Sequence, residues 1–158
     1  MSLRIRRVVT GHDASGRATV KIDEIAKNVS SRRPGAASTV IWSTDTFPVV
    51  NDGDEDRSDK VSGTTLENGT VFRVVRYEPG VAPRPHRTDS VDYAVVMSGE
   101  IDMELEGETV TLKAGDVLVQ RGTMHNWINR SKEVAIVAFV LVAAKPVATG
   151  GKTLNAVG

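Results

Sequence analysis

A chain of 158 residues has the length of one domain and can bury roughly 70% of the surface its extended form exposes. It contains no cysteine, which excludes disulfides, thiolate metal ligands and a cysteine nucleophile, and fits a reducing, cytoplasmic setting. Its 20 basic and 20 acidic residues cancel, so no bulk positive field draws nucleic acid or an anionic membrane; no apolar run approaches the roughly 20 residues of a membrane span, residues 1–7 lead into no export signal, and a soluble protein is expected.

In chain order, residues 1–37 are basic (Arg4, Arg6, Arg7, Arg17, Lys21, Lys27, Arg32, Arg33) and turn-rich, with short strand patterns at 6–9 and 18–22. This N-terminal β arm is too poor in core pattern to fold alone. It is expected to lie on a barrel edge of its own or a neighbouring subunit, and a homodimer is expected with it. His12, among turn residues, reads as surface, and Trp42 as a core or interface aromatic. The run Asp52, Asp54, Glu55, Asp56, Asp59 reads as a solvated loop. It begins like a calcium loop, but Arg57 and Gly63 stand where glycine and glutamate are required.

From residue 38 to 145 valine is frequent, turn signals recur at short intervals and helix-period patterning is scarce, which predicts an all-β barrel. The segments 71–75, 93–97, 117–119 and 134–142 are apolar on both faces and must be covered twice. Tyr93 has the parity of the outer face. Ile101, Met103 and Leu105 alternate with Asp102, Glu104 and Glu106, and after Gly107 Val110 and Leu112 alternate with Thr109 and Thr111: a hairpin with one wet face. Residues 146–158 are small and polar and read as a loose tail.

Two of the three histidines sit in segments with a shared grammar. One runs from Gly80 through Arg84, His86, Thr88 and Asp92 to Gly99, and the other from Gly115 through Gly122, His125 and Trp127 to Asn129. These resemble the two cupin motifs. In the first, Gly80, His86 and Gly99 are in register, with Thr88 in place of the second histidine and Asp92 in place of the glutamate. In the second, Gly115, Gly122, His125 and Asn129 match, the proline is missing and the interval from glycine to histidine is one residue short. The resemblance, to a small single-domain cupin of the type-2 conserved-barrel kind with a degenerate first motif, covers about residues 70–143. It implies a double-stranded β-helix, or jelly-roll. Gly80 and Gly99 would turn the chain between strands at positive φ.

The resemblance places His86 and His125 inward. Strand alternation then puts Arg84 and Thr88 beside His86, groups Asp92 with Ala94 and Val96, and groups Trp127 and Asn129 with His125. A mostly apolar chamber with two imidazoles, a carboxylate and a hydroxyl follows. His86, His125 and Asp92 are the candidate catalytic residues; with Thr88 or water they are also the candidate ligands of a divalent iron, manganese, nickel or zinc ion. Arg84, Ala94, Val96, Trp127 and Asn129 are the candidate substrate contacts. Arg84 reads as a carboxylate clamp or a rim arginine, and Trp127 as an aromatic wall or as space-filling.

The expected function is a metal-assisted oxygenase, isomerase or decarboxylase acting on a largely apolar small molecule. Two alternatives remain open: a metal-free binding module, and an isomerase or lyase run by histidine and aspartate as acid and base. No phosphate-cradling glycine loop and no nucleophile elbow occurs.

Overall fold

The computed structural model describes residues 2–158, which form thirteen strands and, among the described residues, no helix, so none long and apolar enough to cross a membrane. The chain is all-β, as its composition predicts. Strands β1 (Arg6–His12) and β2 (Ala18–Ile25) make a hairpin whose turn is tied by the Asp13 carboxylate, which accepts the Ser15 and Arg17 amides at 2.8 and 3.0 Å. The hairpin lies on its own chain. Arg7, 5% exposed, donates to Glu24 at 2.8 Å, to the Ile41 carbonyl at 3.3 Å and to Asp56, while Lys21 pairs with Asp54 at 3.1 Å. The acidic run is therefore a docking partner of the basic arm, and Arg7 holds the Asp56 carboxyl well below the usual carboxylate range.

A six-stranded sheet runs in the order β3 (Val29–Ser30), β4 (Ala36–Thr44), β5 (Thr70–Tyr77), β11 (Ala135–Ala143), β6 (Ser90–Ser98), β9 (Val117–Arg121). A three-stranded sheet runs β10 (Asn126–Ile128), β7 (Glu100–Glu104), β8 (Thr109–Lys113). The apolar faces of the two meet in one core: Val71, Val137 and Phe139 from the larger, Ile101, Met103 and Leu112 from the smaller. This is the jelly-roll expected from sequence.

The register across β11 decides what faces inward. Val137 lies between Val75 and Val96, Phe139 between Arg73 and Ala94, and Leu141 between Val71 and Asp92. Because side chains alternate, Val71, Arg73, Val75 and Tyr77 of β5 share the inner face with Asp92, Ala94 and Val96 of β6. Residues 146–158, expected as a loose tail, instead carry a hairpin, β12 (Val147–Thr149) and β13 (Lys152–Leu154). They then return to the barrel, where Val157 and Arg87 exchange backbone hydrogen bonds of 2.8 and 3.0 Å.

Candidate active site

His86 precedes β6 and His125 precedes β10, and the two are joined by an antiparallel bridge in which each backbone amide donates to the other's carbonyl, at 2.9 and 3.0 Å. Pro83 and Pro85 favour an extended backbone before each of them and leave Arg84 and His86 as the donors of this stretch; the Arg84 amide bonds the Asn126 side chain at 2.9 Å. The imidazoles face each other with centroids 4.3 Å apart. Each Nδ1 lies on a carbonyl oxygen two residues upstream, His86 on Arg84 at 2.7 Å and His125 on Thr123 at 2.8 Å. A carbonyl only accepts, so Nδ1 carries the proton and each neutral ring keeps its lone pair on Nε2.

Both rings are held neutral. Burial pushes His86 down to about 4, opposed by its bond to the Arg84 carbonyl and helped by the charges of Arg84 and Arg33 and by the repulsion two protonated rings would exert on each other. Burial and then Arg84 also lower His125, against its bond to Thr123. Asp92 moves the other way: it is 6% exposed, and burial raises its pKa against the Ser90 hydroxyl, which donates at 2.6 Å, and the charge of Arg73. Ser90 has one proton and gives it to Asp92, so the Thr88 hydroxyl, 2.8 Å away, donates to Ser90.

His86, Asp92 and His125 all line one cavity of about 680 Å³. Trp127 and Phe139 supply apolar wall and pack edge to face at 5.2 Å; the His125 ring meets Trp127 edge-on at 6.5 Å. The expectation of a mostly apolar lining fails in one respect, because Arg32, Arg33, Arg73 and Arg84 also reach this wall, together with Tyr77. Arg73 and Tyr77 carried a signal in the sequence, since they share the parity of the buried Val71 and Val75. Arg33 carried none, lying in a loop whose path no periodicity reports. Its Nε and Nη2 donate to the carbonyls of Ala82 and Trp127, at 2.7 and 2.8 Å.

A match to the Cupin domain family covers residues 73–142. A cupin-domain-containing oxidoreductase of Aspergillus ruber is 33% identical, the alignment covering 96% of this chain and 79% of that one. This chain is a cupin. Phomopsin biosynthesis cluster protein C' of Diaporthe leptostromiformis is 38% identical over 96% of this cupin and 85% of its own length. The solved structure of KdgF from Halomonas sp. has the same fold, with a TM-score of 0.51, 18% identity and coverage of 73% and 88% of the two chains.

The cupin motifs locate the cavity but only part of its wall. Of the candidates they single out, His86, Asp92, His125, Arg84 and Trp127 line it. Ala94 and Val96 do not; they are 2% and 1% exposed inside the packed core. Asn129 does not either. Its amide donates to the Tyr77 and Glu133 carbonyls at 3.0 and 2.7 Å, and its oxygen accepts the amide and hydroxyl of Ser131 at 2.9 and 2.7 Å, clamping the loop before β11. Thr88 supports Asp92 through Ser90 and is not in the wall. Among the described residues no three histidine, aspartate or glutamate side chains come close enough to enclose a metal ion. The two imidazoles are suitable donors, but the set is one short of the three protein ligands of open catalytic sites.

Proposed function

We propose that this cupin is a small-molecule enzyme that moves a proton on a substrate held in the barrel, as an isomerase or lyase does, with His86 or His125 as base and Asp92 as acid. The carrying observation is the opposed displacement of titrations within one cavity: two imidazoles kept neutral with Nε2 free, and a carboxyl kept protonated further up the pH scale than usual. Groups pushed apart in this way are suited to opposite halves of a proton transfer. The oxidoreductase and biosynthetic names of the two relatives support a small-molecule enzyme. The lack of cysteine supports a cytoplasmic setting.

A second reading, metal-assisted chemistry on iron, manganese, nickel or zinc, is favoured by the two neighbouring imidazoles, whose Nε2 lone pairs are suitable metal donors. The donor set does not fit a three-ligand centre. Protein purified without a histidine tag and treated with chelator separates the two. Small carbonyl compounds incubated with it in deuterium oxide are expected to gain deuterium at carbon, and His125→Gln to abolish the exchange. Stoichiometric metal, with exchange lost on chelation and regained on metal addition, would replace the first reading by the second.

The proposed partner is a second copy. The basic arm no longer supports it, since that arm docks on its own chain through Arg7. The support comes from the outer face of β6 and β9, where Tyr93, Val95, Met97, Val117 and Val119 are exposed together.

A further inference from the structure

Four arginines line the cavity, and nothing in the proton-transfer reading uses them; Arg32 is exposed and donates to the Ser62 carbonyl at 3.1 Å, whereas Arg33, Arg73 and Arg84 are half-buried. Elsewhere the chain spends arginines on carboxylates: Arg6 on Asp23, Arg57 on Asp45, Arg130 on Asp102. Arg33, Arg73 and Arg84 instead bond only neutral oxygens. Arg33 takes two backbone carbonyls, Arg73 those of Gly63 and Thr64 at 2.8 and 3.1 Å, and Arg84 reaches the Thr64 hydroxyl at 3.4 Å. The Nε of Arg73 is buried without a partner. The Arg33 guanidinium lies 5.7 Å from the ring of the buried Tyr77, which lines the same cavity as Arg73 and Arg84.

The wall holds two acidic side chains, Asp59 at an exposed position and Asp92. Burial works against the charge of Asp92, and it also lowers the pKa of Arg73 and Arg33; Asp92 offsets part of this for Arg73, and no carboxylate does so for Arg33. Guanidinium groups withdrawn from water without an anion are costly, and a planar two-oxygen anion matches their fork of donors.

We infer that the ligand of this cavity is a carboxylic acid, its carboxylate seated among Arg33, Arg73 and Arg84 beside Tyr77 and its reacting carbon turned to His86 and His125. A carboxylate suits the site better than a phosphate monoester, because its planar pair of oxygens matches the fork of a guanidinium group. Arg84 is then a specificity-determining residue. It is also the least restrained of the three, held by one long hydrogen bond. The inference rests on this cavity being the working site, and it concerns binding and not turnover.

The test is a calorimetric titration of the wild-type protein with aliphatic and aromatic monocarboxylates, each paired with its primary amide, phenylacetate and phenylacetamide among them. Phenyl phosphate is the third arm. A charge-assisted pair at Arg84 is expected to make an acid bind about tenfold or more tightly than its amide. Arg84→Gln, with a wild-type unfolding midpoint, is expected to bring acid and amide together, and Arg84→Lys to restore part of the difference. Amides that match their acids throughout the series, or phenyl phosphate binding more tightly than the acids, would overturn the assignment. Acid-selective binding without turnover of any acid leaves the inference standing and removes the enzyme reading. Turnover of neutral compounds without acid selectivity does the reverse.

Discussion

At the scale of single residues, the titration of His86 couples the site to stability. Its folded pKa is about 4, below the ordinary 6.5, so between these values the unfolded chain binds the proton and the folded chain refuses it. Stability is therefore full above about pH 6.5 and falls as the pH drops toward 4, by at most about 1.4 kcal/mol per unit for one such group. Asp92 has the opposite sign: with its folded pKa raised, it costs stability at neutral pH and ceases to do so in acid. Urea unfolding midpoints at pH 8, 6.5, 5.5 and 4.5 check both. His86→Gln is expected to flatten the acid-side decline, and Asp92→Asn to exceed the wild type at pH 8 with the excess shrinking in acid. An unchanged slope in the first, or an Asp92→Asn protein weaker than wild type at pH 8, would mean that burial does not govern these groups. The histidines were legible in the sequence because their motifs have fixed spacing. Arg84 was legible with them, within the first motif, and Arg73 could be placed by its parity with Val71 and Val75; Arg33 could not, because it enters from a loop.

At the scale of elements, the strands were legible wherever one face is wet. β7 and β8 alternate and bury Ile101, Met103 and Leu112 as their pattern requires, while Val110, of the same parity as Leu112, stays 41% exposed. The N-terminal hairpin was less legible, because it is fastened by Arg7 to residues 41 and 56 and not by an apolar face of its own. The motif glycines at the ends of strand connections were read as equivalent, and the structure separates them. Gly80 and Gly99 both have positive φ, 71° and 75°. A Cβ at Gly80 meets nothing within 4 Å, whereas one at Gly99 would lie 2.3 Å from the Val134 carbonyl oxygen and 2.9 Å from the Ala135 Cα. Gly80→Ala thus bears only the left-handed conformation, about 1–2 kcal/mol. Gly99→Ala must in addition push β11 away from β6, and is expected to cost well over twice as much. Denaturant unfolding of the two variants side by side gives the ratio, and similar losses would show that the turn at Gly99 yields without disturbing β11.

At the scale of the whole molecule, the sheet that encloses the cavity also presents a second apolar face. Inward parity takes Asp92, Ala94 and Val96 on β6 with Leu118 and Gln120 on β9, which leaves Tyr93 opposite Val119 and Val95 opposite Val117 on the outside. Val117 is 71% and Tyr93 50% exposed, and Val140 of β11 continues the row beside Tyr93. On the other flank Val74 and Thr39 are covered, 2% and 1% exposed, and of β5 Phe72, paired with Val140, extends the open row at 38% exposed. A clustered apolar patch of this kind is characteristic of an association surface, and a two-fold arrangement would set the same strands of two copies against each other. Val119→Asp tests this at little cost to the fold, because an exposed site away from special features changes stability by no more than about 0.5 kcal/mol. Sedimentation is expected to show a dimer for the wild type and a monomer for Val119→Asp, with the monomer unfolding at lower denaturant because it has lost the stabilisation that comes from mass action. A wild type that stays monomeric at high concentration, or a Val119→Asp protein that still dimerises, would leave the outer face without the role proposed for it. The cavity opens on the other side of the same strands, so its chemistry is expected to survive in the monomer.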